Sequence, residues 1–220
     1  MKLTIPAKKI MGPLESADPN QEIFCVARYY SPLFGWIYKR RLGMALELMK
    51  GKFYGNILDV GFGGGIFLPI LKQKAKNLFE IDNHGHADFI RGIMGKIGVK
   101  VELKEGSVLN IPYENDKFDC IVCMSALEFV EDIDTAMKEI SRVAGPNADI
   151  IIGAPIVSKL TDFCYRLVGK KNQNKSHKSG HHKIIGVAEK YFKVEKILTL
   201  PALLPVDYSL FFVLSAKNKK

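Results

Sequence analysis

Ile57-Leu58-Asp59-Val60-Gly61-Phe62-Gly63-Gly64-Gly65 runs directly into Ile66-Phe67-Leu68-Pro69-Ile70-Leu71. The first four residues are a short apolar run of strand length, the glycines interrupt it, and an apolar helical period follows. Gly61, Gly63 and Gly65 let the backbone turn tightly and approach a ligand with no Cβ in the way. Strand, turn and helix stand in the order that a ligand-binding turn of an α/β fold requires. A dinucleotide fingerprint also needs glycine or alanine at the sixth place of the motif, to pack helix on strand. Ile66 occupies that place, which disfavours a nicotinamide dinucleotide.

Outward from this turn, short apolar runs alternate with helical periods, the pattern of a parallel sheet covered by helices. Strands are expected over residues 56–60, 77–81, 99–104, 118–123, 148–153, 192–198 and 208–216, with helices near 65–74, 84–97, 133–143, 159–168 and 184–191. The first five strands are joined by crossovers long enough only for parallel pairing. The last two are joined by a short link containing Pro201 and Pro205, which predicts an antiparallel pair at one edge. Residues 1–50 form a helical extension, with Asp18, Pro19 and Gln21 as a capping box and a second helix after Pro32 through Trp36, Leu42, Leu46 and Met49. Residues 51–155 then make the binding core, and 156–220 complete the same domain.

At 220 residues and 47% apolar composition, the chain suits one folded domain and excludes disorder, collagen and coiled coil. No apolar run reaches the roughly 20 residues that span a bilayer, and the start of the chain has no signal-peptide core, so a cytoplasmic protein is expected. Four cysteines are too few for a disulfide scaffold. Cys120 and Cys123 lie three apart on a strand, an odd separation that sends them to opposite faces and argues against a shared metal.

Asp59 stands two residues before the first glycine, giving acid-Val-Gly-x-Gly-x-Gly. This resembles the first motif of the class I S-adenosylmethionine-dependent methyltransferases, and the resemblance extends over roughly residues 50 to 155. Leu78-Phe79-Glu80-Ile81-Asp82 places Asp82 at the end of the second strand, 21 residues after Gly61, where the family has an acid for the ribose hydroxyls. The alternative role for Asp82 is to cap the next helix. Residues 105–113 look like the family's adenine-side loop, with Ser107 where an acid is common and the Val108 amide available. Phe118-Asp119-Cys120-Ile121-Val122-Cys123-Met124-Ser125-Ala126-Leu127-Glu128-Phe129 is similar to its fourth strand and the turn beneath the methionine part, with Phe129 where many relatives have His. Residues 139–147 resemble the segment before its fifth strand.

The resemblance implies a Rossmann-like three-layer α/β sandwich with a seven-stranded, mostly parallel sheet whose last strand is antiparallel. It implies S-adenosyl-L-methionine as cofactor, with contacts at Asp59, Gly61, Phe62, Gly63, Gly65, Asp82, Asn83, Ser107, Val108, Cys123 and Met124. It looks most like the small-molecule branch that includes quinone-biosynthesis methyltransferases. Methyl transfer from a sulfonium needs positioning and desolvation more than a catalytic triad, so no catalytic residue is assigned.

Tyr30, Glu128 and Phe129 are the candidate acceptor contacts. Net charge is +9, and the stretch through Arg166, Lys170, Lys171, Lys175, Lys178 and Lys183 has no acid between Phe163 and Ala188, which favours an anionic acceptor and a basic cover over the site. His177, His181 and His182 have no Cys or carboxylate close by in sequence, so no metal is expected. Cys123-Met124-Ser125-Ala126 lacks the Asn/Asp-Pro-Pro-aromatic tetrapeptide of nucleic-acid amino methylation. A small-molecule or lipid-like acceptor is therefore expected, with an RNA or DNA methyltransferase and a non-catalytic cofactor-binding module as alternatives. The aromatic and basic run from Tyr29 to Arg41 suits a lid, or peripheral contact with a membrane.

Overall fold

The computed structural model describes residues 5–17, 26–156, 158 and 177–220. The expected capping box at 18–21, the helix at 159–168, and Lys170, Lys171 and Lys175 lie outside the described residues. Among the described residues there are seven strands: β1 Tyr54–Val60, β2 Ala75–Asp82, β3 Glu102–Glu105, β4 Phe118–Met124, β5 Ala144–Pro155, β6 Phe192–Leu200 and β7 Phe211–Asn218. They form one sheet in the order β3-β2-β1-β4-β5-β7-β6. The pairs from β3 to β5 are parallel, and β7 runs antiparallel to both β5 and β6 at the edge.

Around the sheet lie α1 Lys8–Ala17, α2 Val26–Tyr29, α3 Gly35–Leu48, α4 Leu68–Lys72, α5 Ala87–Lys96, α6 Ile133–Val143 and α7 His181–Tyr191. Alternation along the strands sorts side chains into two cores. Ile57, Leu78, Cys120 and Val122 face Leu42 and Met44 of α3, Leu68 and Ile70 of α4, and Ile90 and Met94 of α5. Leu58, Val60, Ile121 and Cys123 face Ile133, Met137 and Ile140 of α6 and Ile184 and Ala188 of α7. Cys120 and Cys123 are thus on opposite faces, as their spacing requires.

Several helix boundaries differ from expectation, each for a local reason. The helix after the glycine turn shortens to Leu68–Lys72, because Gly65 is left-handed at φ +71 and Pro69 sits in the first turn. The expected start at 84 moves to Ala87, since Gly85 has φ +75 and Glu105 on β3 accepts the amides of Gly85 and Ala87 at 3.0 and 2.9 Å. The capping role considered for Asp82 therefore belongs to Glu105. Val206–Tyr208 is a 3-10 turn, which moves the start of β7 from 208 to Phe211.

One buried ion cluster ties the amino-terminal edge of the sheet. Asp149 on β5 is 6% exposed and is contacted by Lys52 Nζ at 2.8 Å, Lys217 Nζ at 2.7 Å and Tyr54 Oη at 2.9 Å. Burial works against its ionisation, but the hydrogen bonds from Lys217, Lys52 and Tyr54 prevail and hold its carboxyl below the ordinary range. Stability from a depressed carboxyl is present above the unfolded value and lost as pH falls through the folded one. Asp149→Asn should lower stability by about 1–3 kcal/mol near neutral pH, with the gap to wild type closing below roughly pH 4. Denaturant unfolding of both proteins across pH checks this, and an undiminished gap in acid would contradict it.

Candidate active site

The site grows from the carboxyl ends of the central strands, where open parallel sheets receive ligands. Gly61, Gly63 and Gly65 have φ of +83, +48 and +71. A Cβ on Gly61 would stand 2.4 Å from Ala126 Cβ, and one on Gly65 would stand 3.0 Å from Ile90 Cγ2. Gly61 is therefore required both by its backbone and by the turn after β4, which passes against it.

Asp82 fastens the other side. Its Oδ2 accepts the Gly63 amide at 2.8 Å and its Oδ1 accepts the Asn83 amide at 2.8 Å. His84 reaches the same place, its Nε2 lying 3.2 Å from Gly63 O and 3.6 Å from Asp82. The next loop is held to the same strand end, because the Gly106 amide donates to Asp82 O at 2.9 Å. Within that loop Ser107 is exposed, its Oγ accepting the Leu109 amide at 3.1 Å, and Val108 is half-buried. Residues 61–65, 82–83 and 106–108, with the turn at 124–126, therefore share one edge.

Two of the expected contacts have side chains committed elsewhere. Phe62 is in the first core, its ring edge-on to His84 at 5.0 Å, and Cys123 is in the second core. Burial, then the charges of Asp59 and Glu128, push the Cys123 thiol well above its usual range. Only their backbone can serve the site. Met124 is half-buried and packs on Gly153, where a Cβ would meet its Cε at 2.7 Å.

Beside them stand residues that the sequence reading did not single out. Ser125 has φ +60, its amide donates to Gly153 O at 2.7 Å, and its buried Oγ has no hydrogen-bond partner among the described residues. Glu80 is fully buried opposite Asp59, which is 3% exposed. Burial drives the Asp59 carboxyl up to about 7, against a hydrogen bond from Glu80 that lowers it and the charge of Asp82 that adds to it.

Past β4, the 3-10 turn Leu127–Phe129 carries Glu128, 2% exposed and with Oε2 unpartnered among the described residues. Burial raises its carboxyl to about 7, outweighing its own backbone amide and the charge of Arg41. Arg41 comes from α3, donates to Tyr29 Oη at 3.3 Å and lies over the rings of Tyr38 and Phe211 at 4.6 and 4.7 Å. Phe129 is half exposed, with its ring 5.5 Å from that of His177. The Lys178 and Ser179 amides donate to Glu128 O at 2.8 and 3.1 Å, so the described end of the basic segment is stitched to this turn. Tyr30 is used differently from expectation: its hydroxyl donates to Pro6 O at 2.6 Å and anchors the N-terminal segment.

The histidine pair has a carboxylate after all. Asp207 Oδ1 lies 3.0 Å from His181 Nε2 and 2.9 Å from His182 Nε2, a neighbour that linear spacing hid. Metal-ligating histidines anchor their second ring nitrogen, whereas His181 Nδ1 is buried with no partner among the described residues. The trio reads as a clamp on the Val206–Tyr208 turn.

A family model described as a methyltransferase domain matches residues 58–152, the span that holds the glycine turn, Asp82 and the turn after β4. Over that stretch the chain is similar to a methyltransferase domain. Norajmaline N-methyltransferase of Rauvolfia serpentina is 33% identical over 101 residues, covering 44% of this chain and 35% of that protein. A ubiquinone biosynthesis O-methyltransferase of Hahella chejuensis is 28% identical over 129 residues, covering 58% of this chain and 54% of that one. The chain thus spans about a third to a half of these two relatives. The N-methyltransferase NodS from Bradyrhizobium japonicum WM9, solved with S-adenosyl-L-homocysteine, shares the methyltransferase fold at a TM-score of 0.64 and 19% identity, over 83% of this chain and 87% of that one.

The raised Glu128 carboxyl gives a stability signature. A carboxyl raised by folding contributes fully below its unfolded value, and that contribution is lost as pH rises through the folded value of about 7. Glu128→Gln should therefore stabilise the protein by about 1–2 kcal/mol near pH 8, a gain that fades toward pH 5. Thermal melts across this range test it, and destabilisation at pH 8 would show that the Glu128 charge is instead held by Arg41.

Proposed function

We propose that the protein transfers a methyl group from S-adenosylmethionine to a small or lipid-like, anionic acceptor. The observation that carries this is the left-handed glycine turn hydrogen-bonded to Asp82 and facing a turn whose Ser125 Oγ and Glu128 Oε2 are buried and unpartnered among the described residues. These features fit the cofactor: a cradle free of Cβ atoms, a carboxylate for the ribose hydroxyls, and a buried hydroxyl awaiting a polar ligand atom. Bound there, the cofactor supplies an electrophilic methyl on a sulfonium.

The chain's own part is positioning and exclusion of water. The Cβ-free surface of the glycine turn and the Val108 amide bind, Asp82 orients, and Phe129 with His177 shields the acceptor side. Glu128 and Arg41 are the polar groups of that side, with Glu128 placed to take up a proton from an acceptor hydroxyl or amine. A small acceptor fits the relatives, whose names refer to alkaloid and ubiquinone methylation. The net charge of +9, the acid-free basic sequence from Phe163 to Ala188 and the position of Lys178 beside Glu128 support an anionic one. Among the described residues no helix is long and apolar enough to cross a membrane.

Incubation with methyl-labelled S-adenosylmethionine and a metabolite extract should move label into the small-molecule fraction. Asp82→Ala should abolish this at limiting cofactor and weaken cofactor binding about 10- to 100-fold. Label in added RNA or DNA would favour a nucleic-acid acceptor, and cofactor binding without transfer to any fraction would make this a non-catalytic binding module.

A further inference from the structure

Glu80 is the most completely buried acid among the described residues, at 0% exposure, and both its carboxyl oxygens lack an ordinary donor there. Its register partner on β1 is Asp59. Alternation puts both side chains on the sheet face shared with Ile57 and Leu78, under α4 and α5 and directly before the glycine turn. Two buried carboxylates side by side cannot both ionise, and an unpaired charge at full burial costs far more than a retained proton. Two unpartnered oxygens beside a carboxyl group are accounted for when one of the pair is an acid and donates to the other. Glu80 is the one with no solvent contact, and Asp59 is the carboxyl group paired with it across β1 and β2.

Among the described residues, the groups that act on the pair include no cation. Asp82 on β2 acts on both acids, Cys123 on β4 interacts with Asp59, and Tyr113 beyond β3 interacts with Glu80. His84 is turned to Asp82 and Gly63. From the covering helices, Lys72 of α4 donates to the backbone of Ala75 and Lys76, and Arg91 of α5 to Asp88 and to Leu103 O. The buried side chains that these helices bring to the same core include Leu68 and Ile70 of α4 and Ile90 and Met94 of α5. An apolar site of this kind keeps a carboxylic acid neutral at working pH so that it can donate a hydrogen bond.

We infer that Glu80 is a positioning residue: it remains a protonated acid and donates its hydrogen bond to Asp59, holding that carboxylate oriented and ionisable beneath the glycine turn for a positively charged nucleoside ligand. The inference rests on the cofactor reading above for the ligand, but the state of Glu80 is a property of the free protein. Asp59 is then the group whose ionisation meets the positive charge, so affinity rises as pH rises through its titration. The dependence is steeper for S-adenosylmethionine than for S-adenosylhomocysteine, which lacks the sulfonium charge.

Infrared difference spectra of the free full-length protein decide the first half. Wild type minus Glu80→Gln at alkaline pH should show a protonated-carboxyl C=O band, and its absence would overturn the inference whatever the ligand. Calorimetric titration of S-adenosylmethionine across pH decides the second half. Glu80→Leu, deprived of the donor, should move the affinity midpoint upward by about one pH unit, while Glu80→Gln restores the wild-type midpoint. A downward move in Glu80→Gln would mean that Glu80 is ionised in the native protein and would sink the assignment. Absence of cofactor binding at every pH would instead defeat the functional reading and leave the infrared band to judge Glu80.

Discussion

The carboxyl edge of the sheet depends on a close approach that no side chain permits. Gly61 is left-handed and so near Ala126 that a Cβ would stand 2.4 Å from the Ala126 Cβ. The glycine turn after β1 and the turn after β4 are consequently one packed unit. The strain continues along the second turn, where Ser125 is also left-handed and is held by its amide bond to Gly153 O on β5. From the other side Asp82 grips the Gly63 amide and, through its own carbonyl, the Gly106 amide. Four successive strands of the sheet, β2, β1, β4 and β5, are thereby tied together at the carboxyl edge.

The two ends of the sheet treat buried charge in opposite ways. At the amino-terminal edge Asp149 is ringed by Lys52, Lys217 and Tyr54, and ionisation there stabilises the fold. At the carboxyl edge burial without a full set of donors pushes Asp59 and Glu128 up to about 7 and Glu80 well above the ordinary carboxylate range. Such groups cost stability in the free protein, and they are concentrated where the fold leaves polar atoms unpartnered. Pairing is spent where it secures the scaffold and withheld where a ligand would complete it.

How much of this was legible in the sequence follows the range of the interactions involved. The glycine turn, Asp82 and the alternation of strands and helices depend on neighbours a few residues apart, and the parallel sheet follows from them, while the reversed edge pair rested on the short link with Pro201 and Pro205 and on the family resemblance. Helix starts were harder, because the beginning of α5 is set by Glu105, which lies 18 residues beyond Ala87. Glu80 was hidden by its own strand: period-two alternation admits a polar residue at any second position, and only pairing with β1 places it against Asp59. Ser125 carried only the weak signal of a small polar residue at a strand end. Arg41 and Glu128, or Asp207 and the histidine pair, belong to elements far apart in the chain, and no spacing brings them together.

The carboxyl edges of β1, β2 and β4 are proposed to form one preorganised cofactor cradle. Amide hydrogen exchange with and without S-adenosylhomocysteine measures this most directly, because exchange reports local opening segment by segment. The account predicts joint slowing at residues 61–65, 82–83, 106–109 and 124–128, with β6 unchanged. Protection confined to another surface, or none at saturating ligand, would contradict it.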